Sequence, residues 1–139
     1  MNAQKYIPLV ARTFLAVIFI QTGIGKIAGF AGVQERIASV GIPLAALIAV
    51  FAIVFELVGG CSLILGYKAR IGAVLLLVFL MPTTLIFHNP IADSTQMIQF
   101  MKNLAIIGGL LMVTAYGSGP ISLDNKTAAA ATILHSEDQ

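Results

Sequence analysis

The sequence predicts an all-α membrane protein: a bundle of four transmembrane helices, with a short interfacial helix between spans 1 and 2. Three observations predict it. Hydrophobic residues make up 58% of the 139-residue chain and charged residues only 10%, against roughly 25% charged in a soluble domain. Mean hydropathy is +0.96. Uncharged or nearly uncharged runs recur at about the 20-residue length that crosses a bilayer. A water-soluble fold is excluded. The expected organisation is one membrane domain over residues 1–124 and a mobile tail over residues 125–139.

Span 1 is expected over residues 6–25. Lys5 ahead of an apolar run resembles a signal peptide. The run carries Arg12, however, and continues for about 18 residues, beyond the roughly 7–15 of a signal h-region. It reads as a retained span. Pro8 suits a first helical turn, where a missing N–H costs nothing. Arg12, Ala16, Phe19, Gly23 and Lys26 recur at helical spacing and fall on one stripe. Ala16 and Gly23 let another helix approach that stripe closely.

Residues 30–43 connect spans 1 and 2. Val33, Ile37 and Val40 share a face, while Gln34, Glu35 and Arg36 are polar. This fits a short amphipathic helix at the interface. Gly41-Ile42-Pro43 breaks it.

Span 2, residues 44–65, is where the chain departs from a plain hydrophobic pattern. Glu56 is its only charge. A carboxylate inside a membrane requires a partner, a proton or a cavity. Gly60 lies one turn on, so a small residue sits beside the carboxylate. Cys61 is the single cysteine and has no CxxC partner, which leaves no disulfide or dithiol relay within the chain. It is expected to be a buried structural thiol.

Residues 66–70 form a short turn, so spans 2 and 3 are an antiparallel hairpin. Span 3, residues 71–87, carries Pro82, which kinks a helix and frees a carbonyl. Thr83 and Thr84 are placed to re-bond the loosened backbone, and His88 follows Thr84 by one turn. After a polar loop, span 4 covers residues 96–116. It opens with a polar stripe of Gln96, Gln99, Lys102 and Asn103. Gly108 and Gly109 offer a close-packing site, and Gly117-Ser118-Gly119-Pro120 ends the helix.

Depth follows from about 1.5 Å per helical residue. Counted from the side that holds both termini, Glu56 is roughly 15 Å deep and Arg12 roughly 9 Å. A long Arg side chain closes that difference, so an Arg12–Glu56 ion pair is expected. Lys26, His88, Gln99, Lys102 and Asn103 lie toward the opposite face. They are expected to ring the mouth of a pocket floored by the Arg12–Glu56 pair. Taken alone, the pair reads equally well as a registry device that fixes helix packing. Lys and Arg counts place both termini, by a slight bias, in the cytoplasm.

Several classes are excluded. A net charge of +2 is too small to suggest a nucleic-acid partner. His88 and His135 are far apart in sequence and neither has a neighbouring ligand at metal spacing, so no metal site is expected. No HExxH, P-loop or nucleophile elbow is present, and no catalytic residue is identified.

The chain resembles the DoxX family of small membrane proteins. The matching stretches are Arg12 followed by FLAVIFIQTGIGKI, then FELVGGCSLILG around Glu56, Phe87-His88, QFMKNLAIIGGLL in span 4, and GPISLD at 119–124. The resemblance implies a four-helix membrane bundle in a bacterial-type plasma or inner membrane. It also implies kinship with the membrane subunit of thiosulfate:quinone oxidoreductase and with systems handling thiols and oxidative stress. Two functions are expected from it. One is a quinone- or small-molecule-binding subunit of a membrane redox system, with a quinone as cofactor. The other is a non-catalytic membrane module that holds a soluble redox enzyme. The lipid bilayer is the first partner, and a redox enzyme subunit or a second copy of the chain is the next. A proton or solute conductor ranks last, because no inverted repeat is visible.

Overall fold

A computed structural model of the chain describes residues 3–137. Six helices follow in order: α1 (Ile7–Ala28), α2 (Phe30–Ser39), α3 (Ala45–Leu65), α4 (Ala69–Phe87), α5 (Met97–Tyr116) and α6 (Leu123–Glu137). Four segments are long and apolar enough to cross a membrane: Ala3–Ala28, Ala45–Leu65, Ala69–Phe87 and Ser94–Tyr116. They contain α1, α3, α4 and α5 and alternate in direction. One end of the bundle, called the terminal side here, therefore carries the start of α1 and the end of α5. The far side carries α2 and the loop before α5.

Helix α1 packs on α3, α3 on α4 and α4 on α5, while α1 meets α5 only sparsely. Lipid tails are as apolar as leucine, so the helices associate by close packing rather than by hiding from solvent. The buried residues reflect this. Ala16, Ala49, Ala52, Ala69 and Ala73 are buried beside Phe19, Leu63, Leu76 and Leu110. Large side chains such as Phe14, Leu85 and Ile98 point outward, where lipid surrounds them. The stripe expected on α1 is its buried face: Arg12, Ala16, Phe19 and Gly23.

Helices α3 and α4 approach closely at Gly59. A Cβ placed on Gly59 would lie 2.5 Å from Leu76 Cγ and 3.1 Å from the Gly72 carbonyl oxygen. Helix α3 ends at Gly66, whose φ of 63° is the left-handed conformation that glycine takes without strain. Ser62 Oγ donates to the Tyr67 carbonyl at 2.7 Å and so closes the turn.

Pro82 lies inside α4. Thr83 Oγ1 donates to the Phe79 carbonyl at 2.8 Å and Thr84 Oγ1 to the Leu80 carbonyl at 2.7 Å. Both are threonine back-bonds to the carbonyl one turn earlier, and neither reaches Val78, whose carbonyl is the one Pro82 leaves without a donor.

Two expectations need correction. Cys61 is exposed on the outer surface of α3 rather than buried. Gly108 faces open space, and of the glycine pair on α5 only Gly109 is close-packed, against Leu15. The stretch expected to be a tail is helical to Glu137 as α6, and residues 138–139 lie outside the described residues. Helix α6 begins against the bundle through Asp124, but its residues 125–132 are exposed.

Candidate functional site: a buried lysine–glutamate pair beside a side-opening cavity

Glu56 is only 2% exposed, and the residue that answers it is Lys26. Lys26 Nζ lies 2.7 Å from Oε1 and 2.7 Å from Oε2. Thr22 Oγ1 donates to Oε1 at 3.0 Å. Among the described residues this is the one ion pair. Thr22 and Lys26 are one turn apart on α1, and Gly23 between them leaves room for α3. A Cβ on Gly23 would sit 3.4 Å from Glu56 Cβ and 2.9 Å from Leu57 Cδ2.

The expected Arg12–Glu56 pair is therefore replaced by Lys26–Glu56. Side chains on a helix lean toward its N-terminus. On α1 that lean carries Arg12 toward the terminal side, away from Glu56. It carries Lys26 inward from the far side, and Glu56, on antiparallel α3, leans out to meet it.

Arg12 is buried, 1% exposed, and serves the other end of the bundle. Its Nη1 donates to the Leu63 carbonyl at 2.7 Å, its Nη2 to the Ile121 carbonyl at 2.8 Å, and its Nε to the Pro8 carbonyl at 3.3 Å. Leu63 is in the last turn of α3, where carbonyls lack helical partners and positive charge is favourable. Arg12 thus ties α1, the end of α3 and the segment after α5 together.

A cavity of about 510 Å³ lies between α2, α3 and α4, within the range of roughly 300–1,000 Å³ typical of small-molecule sites. Helix α2 covers it with Val33, Arg36 and Ile37, α3 lines it with Phe51, Ala52 and Phe55, and α4 with Val78, Phe79, Pro82, Thr83 and Ile86. Its polar groups are Lys26, Arg36, Thr83 and His88. Glu56 stands behind Lys26 and does not line it. Phe51, Val78 and Ile86 are about half exposed, so the cavity opens sideways between α3 and α4, onto the surface that lipid covers.

Each polar group keeps a free face. The Lys26 ammonium has three N–H donors and gives two directions to Glu56. It also lies 5.3 Å from the centroid of the Phe79 ring. His88 Nδ1 is 2.9 Å from Gln96 Oε1, which leaves Nε2 unengaged. Arg36 lies over the Phe87 ring at 5.5 Å.

The rest of the expected pocket divides differently. Asn103 Nδ2 donates to Thr84 Oγ1 at 3.0 Å, Gln99 Nε2 to Asn103 Oδ1 at 3.4 Å, and Lys102 Nζ to Gln99 Oε1 at 3.0 Å. Only the Asn103–Thr84 bond joins α5 to α4, and none of these residues lines the cavity. Of the seven candidate residues, Lys26 and His88 reach the cavity and Glu56 supports it from behind. Arg12 and Asn103 hold helices together, while Gln99 and Lys102 bond within α5. Sequence reasoning missed Thr22, Arg36 and Phe79. Thr22 carried a signal, being one turn before Lys26. No group of three or more His, Cys, Asp or Glu residues that could hold a metal occurs among the described residues.

A profile of the DoxX family matches residues 7–89. Inner membrane protein YqjF of Escherichia coli is 35% identical over 116 residues, covering 84% of this chain and 88% of its own length. Inner membrane protein YphA of Escherichia coli is 35% identical over 129 residues, covering 89% of this chain and 92% of its own. The ER-derived vesicles protein ERV29 of Saccharomyces cerevisiae is 32% identical over 81 residues, or 55% of this chain and 26% of its own. No solved structure matches the chain. With four spans, a matching profile over most of the bundle and two inner-membrane relatives aligned along nearly their whole length, this chain is an integral membrane protein of the DoxX family.

Proposed function

We propose that the chain is an inner-membrane subunit, both termini cytoplasmic, that binds a lipid-soluble carbonyl compound of the quinone class for a redox partner. The observation that supports this reading is the cavity. It is apolar, it opens toward lipid, and the Lys26 ammonium in its wall is held in place by Glu56. A quinone reaches such a site from within the bilayer. One of its carbonyl oxygens accepts from the free Lys26 N–H and the other is within the province of His88. Reduction to a quinol takes up two electrons and two protons. The Lys26–Glu56 pair is suited to the proton exchange, and a partner enzyme supplies the electrons.

The test is purification in mild detergent, followed by lipid extraction and thermal melting with added quinone. The expected result is quinone in the extract and a raised Tm, with both effects lost in Ala52→Phe, which fills the cavity. An extract free of quinone, together with a Tm that quinone does not move, overturns the reading.

A second reading is a membrane anchor for a soluble redox enzyme. It is favoured by α6, which leaves the bundle with residues 125–132 exposed. Gentle co-purification of the full chain and of a chain ending at residue 124 decides it. A stoichiometric partner retained only by the full chain is the expected outcome, and retention by both chains removes the role assigned to α6.

A further inference from the structure

A second concave surface lies at the terminal side, away from the cavity. It is a groove of about 600 Å³ between the start of α4 and the end of α5, lined by Lys68, Arg70, Ile71, Tyr116, Gly117 and Asp124 among others. Ala69 and Tyr116 are the terminal-side ends of two spans, so the groove lies at the depth of lipid headgroups. We propose that Lys68 and Arg70 form a binding site for the phosphate headgroup of an anionic membrane lipid.

Three observations carry this. First, neither cation has a carboxylate within 4.0 Å among the described residues. Asp124 lines the groove, but its carboxylate is engaged elsewhere. Oδ1 accepts from the Lys68 backbone N–H at 2.6 Å, and Oδ2 from the Ala69 N–H at 3.2 Å and Ser118 Oγ at 3.1 Å. Second, the Arg70 guanidinium is laid against the groove wall. A Cβ on Gly117 would be 3.2 Å from its Nε, so the exposed guanidinium lies beside that wall. A flat fork in this position presents paired donors suited to phosphate oxygens. Third, the chemistry changes with depth as a phospholipid does. The cations and the exposed Tyr116 sit at the interface, where basic and aromatic residues meet headgroups. Ile71, 59% exposed, begins the apolar surface of α4 just below. A free phosphate uses only the upper part, whereas a lipid uses both.

The test uses the purified full-length chain in mild detergent, with thermal melting and native mass spectrometry. Added phosphatidylglycerol is expected to raise Tm and remain bound, and phosphatidylcholine is not. Inorganic phosphate at the same concentration is expected to have no effect. Removing each cation weakens the phosphatidylglycerol response about fivefold, the equivalent of roughly 1 kcal/mol per basic residue at an anionic surface. Suitable variants are Arg70→Gln and Lys68→Asn. Lys68 has φ of 47°, a conformation asparagine tolerates, so the second variant keeps the turn. Lys126→Gln, on exposed α6, is the control that leaves the response unchanged. An equal response to phosphatidylcholine overturns the proposal, as does one reproduced by phosphate alone or unaltered in Arg70→Gln. Arg70 is exposed, so that variant folds and the comparison stands without the other.

Discussion

Lys26 Nζ lies 2.7 Å from both carboxylate oxygens of Glu56, and the two residues lean toward each other from antiparallel helices. The partners are unequally placed. The Glu56 side chain is 3% exposed and that of Lys26 is 24% exposed at the cavity wall.

That asymmetry makes a directional prediction. Removing one member of a buried pair costs about 3–5 kcal/mol because the other charge is stranded. Lys26→Met strands the more buried group and lies at the upper part of that range. Glu56→Gln strands the more accessible one and costs less. The double variant recovers part of the loss. Arg12→Leu combined with Glu56→Gln gives additive losses, because Arg12 and Glu56 share no contact. Thermal melting of the full cycle in detergent checks this, and additive behaviour for Lys26 with Glu56 would refute the pairing.

The bundle was legible in the sequence for a simple reason. Spans are set by length and hydropathy, and the buried stripe of α1 by spacing alone. Glu56 was legible as an anomaly because nothing else in its span is charged. Its partner was not, because depth counted along a helix axis ignores where a side chain leans. Arg12 and Lys26 lie on the same stripe, and axial distance favoured the wrong one. The segment at 117–122 also could not be placed from the sequence. Its fold back over the α3–α4 turn supplies Ile121 to Arg12 and Asp124 to the start of α4. The cavity was invisible for a similar reason, since it depends on α2 lying over α3 and α4.

Arg12 is expected to matter for the fold at the terminal side rather than for the cavity. Its three donors satisfy carbonyls of Pro8, Leu63 and Ile121, and hydrogen bonds to a charged group contribute about 1.5–3 kcal/mol each. Lysine keeps the charge but cannot span three acceptors. Arg12→Lys is expected to lose about 2–4 kcal/mol and to expose the 117–122 segment to protease. Ligand-induced changes in Tm persist in the surviving folded protein. A variant with wild-type stability would show that the guanidinium fork is dispensable.

Acid sensitivity is expected to arise at Asp124. Burial works to raise its carboxyl, but the backbone N–H groups of Lys68 and Ala69, the Ser118 hydroxyl and the charge of Arg12 outweigh it. The result is a group held below its ordinary value of 3.8. A carboxylate depressed on folding stabilises the fold above its unfolded pKa, and that contribution is lost as pH falls through the folded one. Tm is therefore expected to fall as the pH drops from about 5 through 3.8 and below, and the fall is smaller in Asp124→Asn. Asp93 is also depressed, by the Thr95 hydroxyl and backbone N–H, but it is fully exposed and Asp93→Asn leaves the acid limb nearly unchanged. An acid limb identical in wild type and Asp124→Asn places the titration elsewhere.

Glycines separate close packing from free surface. A Cβ at Gly59 would meet Leu76 Cγ at 2.5 Å and Cδ2 at 2.8 Å, with the Gly72 carbonyl oxygen at 3.1 Å. The leucine can turn aside, but the backbone of α4 cannot, so Gly59→Ala pushes α3 and α4 apart. Overpacking of this kind costs about 1–3 kcal/mol. Gly108 has nothing within 4 Å of the same position. There alanine removes only the conformational freedom of glycine, and a helix interior gains about 0.5–1 kcal/mol from that change. The two substitutions add the same methyl group and are expected to move Tm in opposite directions. Measured side by side in one detergent, equal shifts of the same sign would mean that α3 and α4 do not approach at Gly59.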